Sequence, residues 1–398
     1  MGYTVVRGGT EAMLAAEQML DAVRLGAFRE APETFASAAQ QVDMILAGQR
    51  NAVDRVMCEA GFHAPRLAAL AIVQAEGDVI HASFILRALR VSLPRWGTSE
   101  TIDMEDMRVL RRLSSAFKSV PGGQYLGPSH DYTLHFLRHE LLAELPEERR
   151  AEALRALGAE DGVAGEATRP LPPMPRVIEI LRAAGVVSLP KGDAGAEPAD
   201  ITMAPMRFPA PARSARLQAL SRGENGMMIG LAYSSLRGYG HVHPTLAELR
   251  VGHVPVRLRH PLWDIEVGIG EVLITQCDAI ITGVGAISTD DAEDGQDGLR
   301  LGLGFGAALG QQEERAIAIS ILDGCLEQGD SPEGGPADDT EFVLYHCDGV
   351  ESLGFVEHLK KPHYMLFASV LDRMSAANAP QTVAPEGAAQ PEFEETNP

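Results

Sequence analysis

Residues Gly302-Leu-Gly304-Phe-Gly306 alternate a side chain with none. Read with Leu299 and Leu301, the run predicts a strand with Leu299, Leu301, Leu303 and Phe305 on one face and bare glycine on the other. Alternation of this kind is the period-2 signal of a strand. A face without Cβ atoms suits close approach of another backbone or of a ligand. Whatever packs there must come within backbone distance, and the next element is a helix carrying Ile317, Ile321, Leu322 and Cys325. The spacing Gly304-x-Gly306-x-x-x-Gly310 misses the dinucleotide fingerprint G-x-G-x-x-G by one residue. A helix start behind such a turn can hold phosphate through its N–H groups. Glu313 and Glu314 in its first turn oppose that, so close packing is the stronger expectation.

Before this strand the chain reads as helical. Met13, Ala16, Leu20 and Val23 share one helical face behind Thr10 as a cap. Phe35–Ile45, Val53–Met57, Leu67–Ala71, Ala82–Leu89 and Met107–Phe117 repeat the spacing of three and four. Pro121–Tyr132 holds three glycines and two prolines and reads as a functional loop. After residue 206 the pattern is mixed. Val251–Leu258 and Ile265–Ile269 read as strands, and Val350–Leu359 as a helix that Pro362 ends. The expected class is α+β. A largely helical domain spans residues 1–143, a variable linker 144–205 and a mixed α/β domain 206–374, with a disordered acidic tail over 375–398.

The net charge of −21 over 398 residues is concentrated in three loop-like stretches: Asp290–Asp297, Glu327–Glu341 and the tail after Ser375. No basic patch dominates, which argues against nucleic acid as a partner. Cys58, Cys277, Cys325 and Cys347 form no C-x-x-C, so neither an iron–sulfur cluster nor a zinc ribbon is expected, and the thiols read as reduced and cytoplasmic. Apolar runs fall short of the ~18 residues of a membrane helix, and the first residues lack the pattern of a signal peptide.

Two histidine pairs could ligate a metal. In His358-Leu-Lys-Lys-Pro-His363 a continuous helix would point the rings about 140° apart. Pro362 stops the helix and lets His363 fold back, leaving a site that needs more ligands, from His346, Cys347, water or another chain. His241-Val-His243 lies among Gly238, Gly240 and Pro244 and reads as a loop. Arginines 111, 112, 213, 216, 222 and 237 and Lys118 are candidates for phosphate, since guanidinium forks suit its oxygens. Arg237 beside flexible backbone stands out among them. Ser129, His130, Asp131 and Tyr132 form no G-x-S-x-G elbow, and a serine hydrolase is not expected.

Several stretches together resemble the PhnI family of carbon–phosphorus lyase subunits. They include Ala52-Val-Asp-Arg-Val-Met57, Phe84-Ile-Leu-Arg-Ala88, Met107–Tyr132, Leu231–Gly240 with His243-Pro244, and Gly354–Tyr364. Glu59-Ala60-Gly61 stands where the family usually has Glu-Gly-Gly. The resemblance implies a subunit that works with PhnG, PhnH and PhnL on MgATP and an alkylphosphonate. A phosphonate oxygen displaces adenine from the ribose carbon to give ribose 1-phosphonate 5-triphosphate, and the isolated subunit acts as a purine nucleosidase. It also implies that His358 and His363 bind zinc at the interface with PhnJ, the partner that carries the iron–sulfur chemistry. Cleaving an N-glycosidic bond builds positive charge on the sugar, which a carboxylate stabilises. Asp54, Asp131 and Glu271 are the catalytic candidates in the matching blocks. Lys118, Arg237, Tyr239 and His243 are the substrate-binding ones. The alternative is a scaffold that lends metal ligands to a site shared with PhnJ.

Overall fold

The computed structural model describes residues 9–24, 36–127, 174–187, 197–237, 242–283, 300–328, 335–360 and 364–378, with Gly26 and scattered positions between 129 and 155. Its contacts group Met1–Leu353 as one unit and Gly354–Pro398 as a second.

The first unit begins with α1 (Thr10–Arg24), in which Thr10 is the first helical residue and no side chain is buried. Four short helices follow: α2 (Ala38–Gly48), α3 (Arg50–Ala60), α4 (Pro65–Gln74) and α5 (Val79–Ser92). Their ends are marked in the sequence. Ser37 and Gln40 form a reciprocal capping box on α2, and the Asp78 carboxylate accepts from the N–H groups of Ile80 and His81. Pro65 opens α4 where its missing N–H costs no helical bond. Val53, Val56, Ala68, Ile72, Ala82 and Leu86 close a small core between them. Ala60 is buried inside α3, and the left-handed cap is Gly61 at φ 62°, so only the second of the family's two glycines needs to lack a Cβ here.

Residues Arg108–Leu113, expected within a helix, form strand β1. The spacing of Met107, Leu110 and Leu113 fits a helix, but pairing with β2 prevails, and strand alternation buries Arg111 and Arg112 on opposite faces of the sheet, where each meets a carboxylate. Strands β2 (Val242–Arg259) and β3 (Glu266–Gly283) form a long hairpin, and β4 (Gly302–Leu309) follows. The sheet is antiparallel throughout in the order β1-β2-β3-β4. His243 and Pro244 lie within β2, not in a loop, with His243 opposite Thr282. His241 and Tyr239 are outside the described residues.

One face of the sheet carries α9 (Glu313–Gln328), flanked by α7 (Arg213–Arg222) and α8 (Asn225–Leu236). Leu220, Met228, Ala279, Ile281, Ile319 and Leu322 fill this larger core. The other face carries α6 (Val177–Ala183), with Val177, Ile178, Ala247, Ile280 and Leu303. The bare glycine face of β4 lies against α9. A Cβ on Gly304 would come 1.8 Å from the Ser320 carbonyl oxygen, and one on Gly306 would come 2.0 Å from that of Ala316. The glycine run therefore serves backbone-to-backbone packing. Gly306→Ala should destabilise the chain by about 1–3 kcal/mol through overpacking, because the obstructing atoms are main chain and cannot turn aside. Chemical denaturation of the two proteins measures the difference, and equal midpoints would contradict the packing assignment.

Helices α10 (Thr340–His346) and α11 (Gly349–Glu357) end the described chain before a 3-10 turn at His358–Lys360 and α12 (Tyr364–Asn378). The helix thus runs past Ser375, where the sequence pattern predicts a structureless tail. Residues 379–398 lie outside the described part. No single helix among the described residues is long and apolar enough to cross a membrane.

All four cysteines are buried and unpaired. Burial pushes the thiols of Cys277, Cys325 and Cys347 up to about 12. Since the thiolate is the reactive form, these three should resist alkylation at pH 8 in the native chain and react on denaturation. Intact-mass measurement after iodoacetamide treatment reads this directly, and rapid native labelling of all three would contradict their placement.

Candidate functional site

A cleft of about 470 Å³ opens where the start of α3, the turn between β4 and α9, and the loop after β1 converge. Its polar lining comes from Arg50 and Asn51 of α3, Ser129, His130 and Asp131 of the loop, and Gln311, Glu313 and Glu314 ahead of and within α9. Leu113, Leu246, Leu249 and Ile317 form its apolar floor.

Each wall is held by a buried group behind it. Asp54, one helical turn beyond Arg50, is buried and accepts from the N–H of Gln311 at 2.9 Å. Gly310 stands at φ +75° directly over it, and a Cβ there would come 2.3 Å from the Asp54 carboxyl carbon. Only glycine combines that left-handed turn with so close an approach. Burial raises the Asp54 carboxyl above the ordinary carboxylate range, although the Gln311 N–H, Arg50 and His63 pull the other way. Gln311 in turn donates to Glu313 at 2.9 Å.

The opposite wall hangs on Arg111. This guanidinium is almost wholly buried, pairs with Glu313 at 3.0 Å, donates to the Leu126 carbonyl and pairs with Asp131. Arg112, on the other sheet face, anchors the same loop. It pairs with Glu248 at 2.5 Å and donates to the Pro121 carbonyl at 2.8 Å, while its main chain bridges Tyr125. The Pro121–Tyr132 loop is thus strapped to β1 by two adjacent arginines, and its end delivers Ser129, His130 and Asp131 to the cleft. Glu313 is spent on Arg111 and Gln311. Glu314, exposed at the α9 N-terminus, makes no ion pair or side-chain hydrogen bond among the described residues. A helix N-terminus favours an acid there.

The predicted residues do not converge as a set. Asp131 lines the cleft. Asp54 stands behind it and positions the β4–α9 turn. Glu271 is elsewhere, on β3, exposed and paired with Arg108 at 2.8 Å, a partner that holds its carboxyl below the usual range. Lys118 is exposed and outside the lining, and so is Arg237, at the end of α8. His243 is exposed on β2, where its carbonyl accepts from the Thr282 hydroxyl at 2.8 Å. Arg50, Asn51, Gln311 and Glu314 were not singled out as site residues. The one local signal was the unusual polar run Gln311-Gln-Glu-Glu314 following glycine.

The second unit carries His358, in the turn after α11. Its ring packs edge-on to Phe355 at 4.9 Å, with Nδ1 against the Phe355 carbonyl. His363 is outside the described residues. Of the further ligands considered, Cys347 is a buried core thiol, and His346 stacks on Phe342 at 4.2 Å with Nδ1 at 2.7 Å from the Phe342 carbonyl. Among the described residues no three His, Cys, Asp or Glu side chains are grouped to hold a metal.

The profile of bacterial phosphonate metabolism proteins (PhnI) matches residues 2–381, and the chain belongs to that family. It is 43% identical over 395 residues to HtxH of Stutzerimonas stutzeri, named as a C–P lyase subunit protein, covering 98% of this chain and 100% of the relative. It is 38% identical to the alpha-D-ribose 1-methylphosphonate 5-triphosphate synthase subunit PhnI of Rhizobium meliloti, with 93% of each chain covered. The protein of the same name from Escherichia coli is also 38% identical, over 93% of this chain and 96% of its own.

Proposed function

We propose that this chain is the subunit that replaces adenine on MgATP with a phosphonate. The bond from ribose C1′ to N9 of adenine breaks, a bond from C1′ to a phosphonate oxygen forms, and adenine leaves with a proton. The products are adenine and ribose 1-phosphonate 5-triphosphate, and with water as acceptor the same site is a nucleosidase. The observation that carries this reading is the cleft whose lining brings Asp131, Glu314, Arg50 and His130 together. The names of two relatives as synthase subunits support it.

The chemistry assigns the parts. Positive charge grows at C1′ as the base departs, and a carboxylate at the cleft stabilises it. Glu314 has no competing partner among the described residues and suits that role better than Asp131, which shares Arg111. His130 suits the general acid for the purine, because an imidazole ring can hold a proton and hand it to the departing base. Arg50 takes the anionic end of the substrate, with Mg²⁺ arriving bound to ATP. Asp54 acts as a positioning residue through Gln311. The assay is adenine release from MgATP by the purified chain, with and without the other lyase subunits. Release in neither setting would refute the reading.

A second role is compatible with the first and rests on a different observation. Met13, Leu20 and Val23 of α1 and Leu262, Trp263, Ile265 and Ile269 at the hairpin end are all exposed. Large apolar side chains left uncovered on separate elements mark surfaces that partners bury, as in an assembly with PhnG-, PhnH-, PhnJ- and PhnL-type subunits. Within that assembly His358 and His363 hold zinc with ligands from the PhnJ-type partner. A ring whose Nδ1–H donates to the Phe355 carbonyl is held in the tautomer that presents Nε2 to a metal. His358→Ala should lower the zinc content of the assembled complex to less than half, while adenine release by the chain alone changes little. Undiminished zinc would remove the assignment.

A further inference from the structure

The end of α3 gathers three arginines that the proposed reaction does not use. Arg87 and Arg90 come from α5 and Arg222 from the last turn of α7. Arg87 is committed: it pairs with Asp348 at 2.6 Å and donates to the Glu59 carbonyl at 2.6 Å, which caps α3. Among the described residues Arg90 makes only a long hydrogen bond to the Gly61 carbonyl, at 3.4 Å. Arg222 makes no side-chain hydrogen bond or ion pair among the described residues, and its buried Nε has no partner. The Arg90 guanidinium and the aliphatic stem of Arg222 both lie against Gly61. A Cβ at that position would come 2.8 Å from Arg90 Nη1 and 3.4 Å from Arg222 Cδ, so the left-handed glycine that ends α3 is also what lets the two arms approach.

Nearby carboxylates do not cancel this charge. Asp348 is spent on Arg87, and Asp200 pairs with Arg95 at 2.6 Å. Glu351 is exposed; it and Asp348 favour the charged form of Arg222 from a distance, but among the described residues Glu351 makes no ion pair with either arginine. Burial, together with Arg87 and Arg90, lowers Arg222 to about 10. Like charges held together at a half-buried surface are unfavourable until an anion joins them. Arg222 and Gly61 also line a cavity of about 290 Å³, open to solvent, with Ser221 and Gln218 beside them and Phe305 and Ile319 in its apolar wall.

We infer that Arg90 and Arg222 form an anion site for a tetrahedral phosphoryl or phosphonyl group, beside the cavity between α3, α7 and β4 that Arg222 lines. Two guanidinium forks match the paired oxygens of such a group in a way a single ammonium does not. The apolar wall behind them accommodates a small substituent on phosphorus. The site does not depend on the assignment of the Asp131–Glu314 cleft.

The test is the thermal midpoint of the full chain titrated with inorganic phosphate and, separately, with methylphosphonate, against sodium chloride at matched ionic strength. A saturable rise with either ligand is expected, since a ligand that binds only the folded state stabilises it. Tighter binding of methylphosphonate than of phosphate identifies the phosphonate as the intended group, and the reverse identifies phosphate; both support the site. Arg222→Gln and Arg90→Gln should each weaken binding at least 10-fold. Glu314→Gln should leave it unchanged, which separates this site from the cleft. No effect beyond that of chloride, or binding in both arginine variants as tight as in the parent chain, overturns the inference. If Arg222→Gln does not fold, Arg90→Gln alone decides.

Discussion

Glu59→Ala is expected to prevent the first unit from folding stably. The Glu59 carboxylate is fully buried and accepts from Arg55 at 2.8 Å, Arg315 at 2.9 Å, the Asn225 N–H at 3.1 Å and the Ser83 hydroxyl at 2.8 Å. It therefore ties α3 to α5, α8 and α9, the elements that bound both the helical bundle and the sheet layer. Removing it leaves Arg315, also fully buried, with its positive charge uncompensated. Breaking a buried pair from one side costs about 3–5 kcal/mol, against a total stability of about 5–15 kcal/mol for a folded domain. Glu59→Gln keeps the shape and part of the hydrogen bonding and should lose less. Urea denaturation of the three proteins checks this ranking. An alanine variant as stable as the parent would mean that Arg315 finds another partner, and that the hub is not what joins the two layers.

The second large effect falls on the cleft. Glu314→Gln and Asp131→Asn should each lower adenine release by about 10²-fold or more, the range expected when a charge-stabilising or proton-handling group is removed. Their contributions should differ in kind. Glu314 makes no ion pair among the described residues, so its loss should leave the fold untouched. Asp131 also holds the loop to Arg111, so its loss should lower thermal stability as well. Glu271→Gln is the control: its carboxylate is paired with Arg108 on the open surface and should affect release less than twofold. Exposed pairs of this kind contribute little to stability, about 0–1 kcal/mol.

The helical beginning of the chain was legible because caps, prolines and apolar spacing agree. The glycine strand was legible because a bare face admits few packings. Strand β1 was not, since six residues with helical spacing carry no sign that a distant hairpin will recruit them. Non-local pairing leaves little trace in local pattern. The site was legible in part for the same reason. Asp131 follows a glycine-rich loop and could be picked out, whereas Glu314 and Arg50 look like ordinary surface charges until α3 and α9 are brought together. Glu271 lies outside the cleft; a lone acid among matched residues gives no indication of its exposure. Asp54 was found for its acidity, but it works through Gly310 and Gln311 as a clamp on the turn.

The central claim is that this chain's own cleft performs the ribosyl transfer. The most direct measurement is adenine formed from MgATP and methylphosphonate by the reconstituted lyase subunits, with either the parent chain or the Glu314→Gln chain as the only difference. The expected result is one adenine released for each ribose 1-methylphosphonate 5-triphosphate formed with the parent chain, and both products falling together by about 10²-fold with the variant. Undiminished formation of both products with a variant that assembles normally would contradict it and move the chemistry to another subunit.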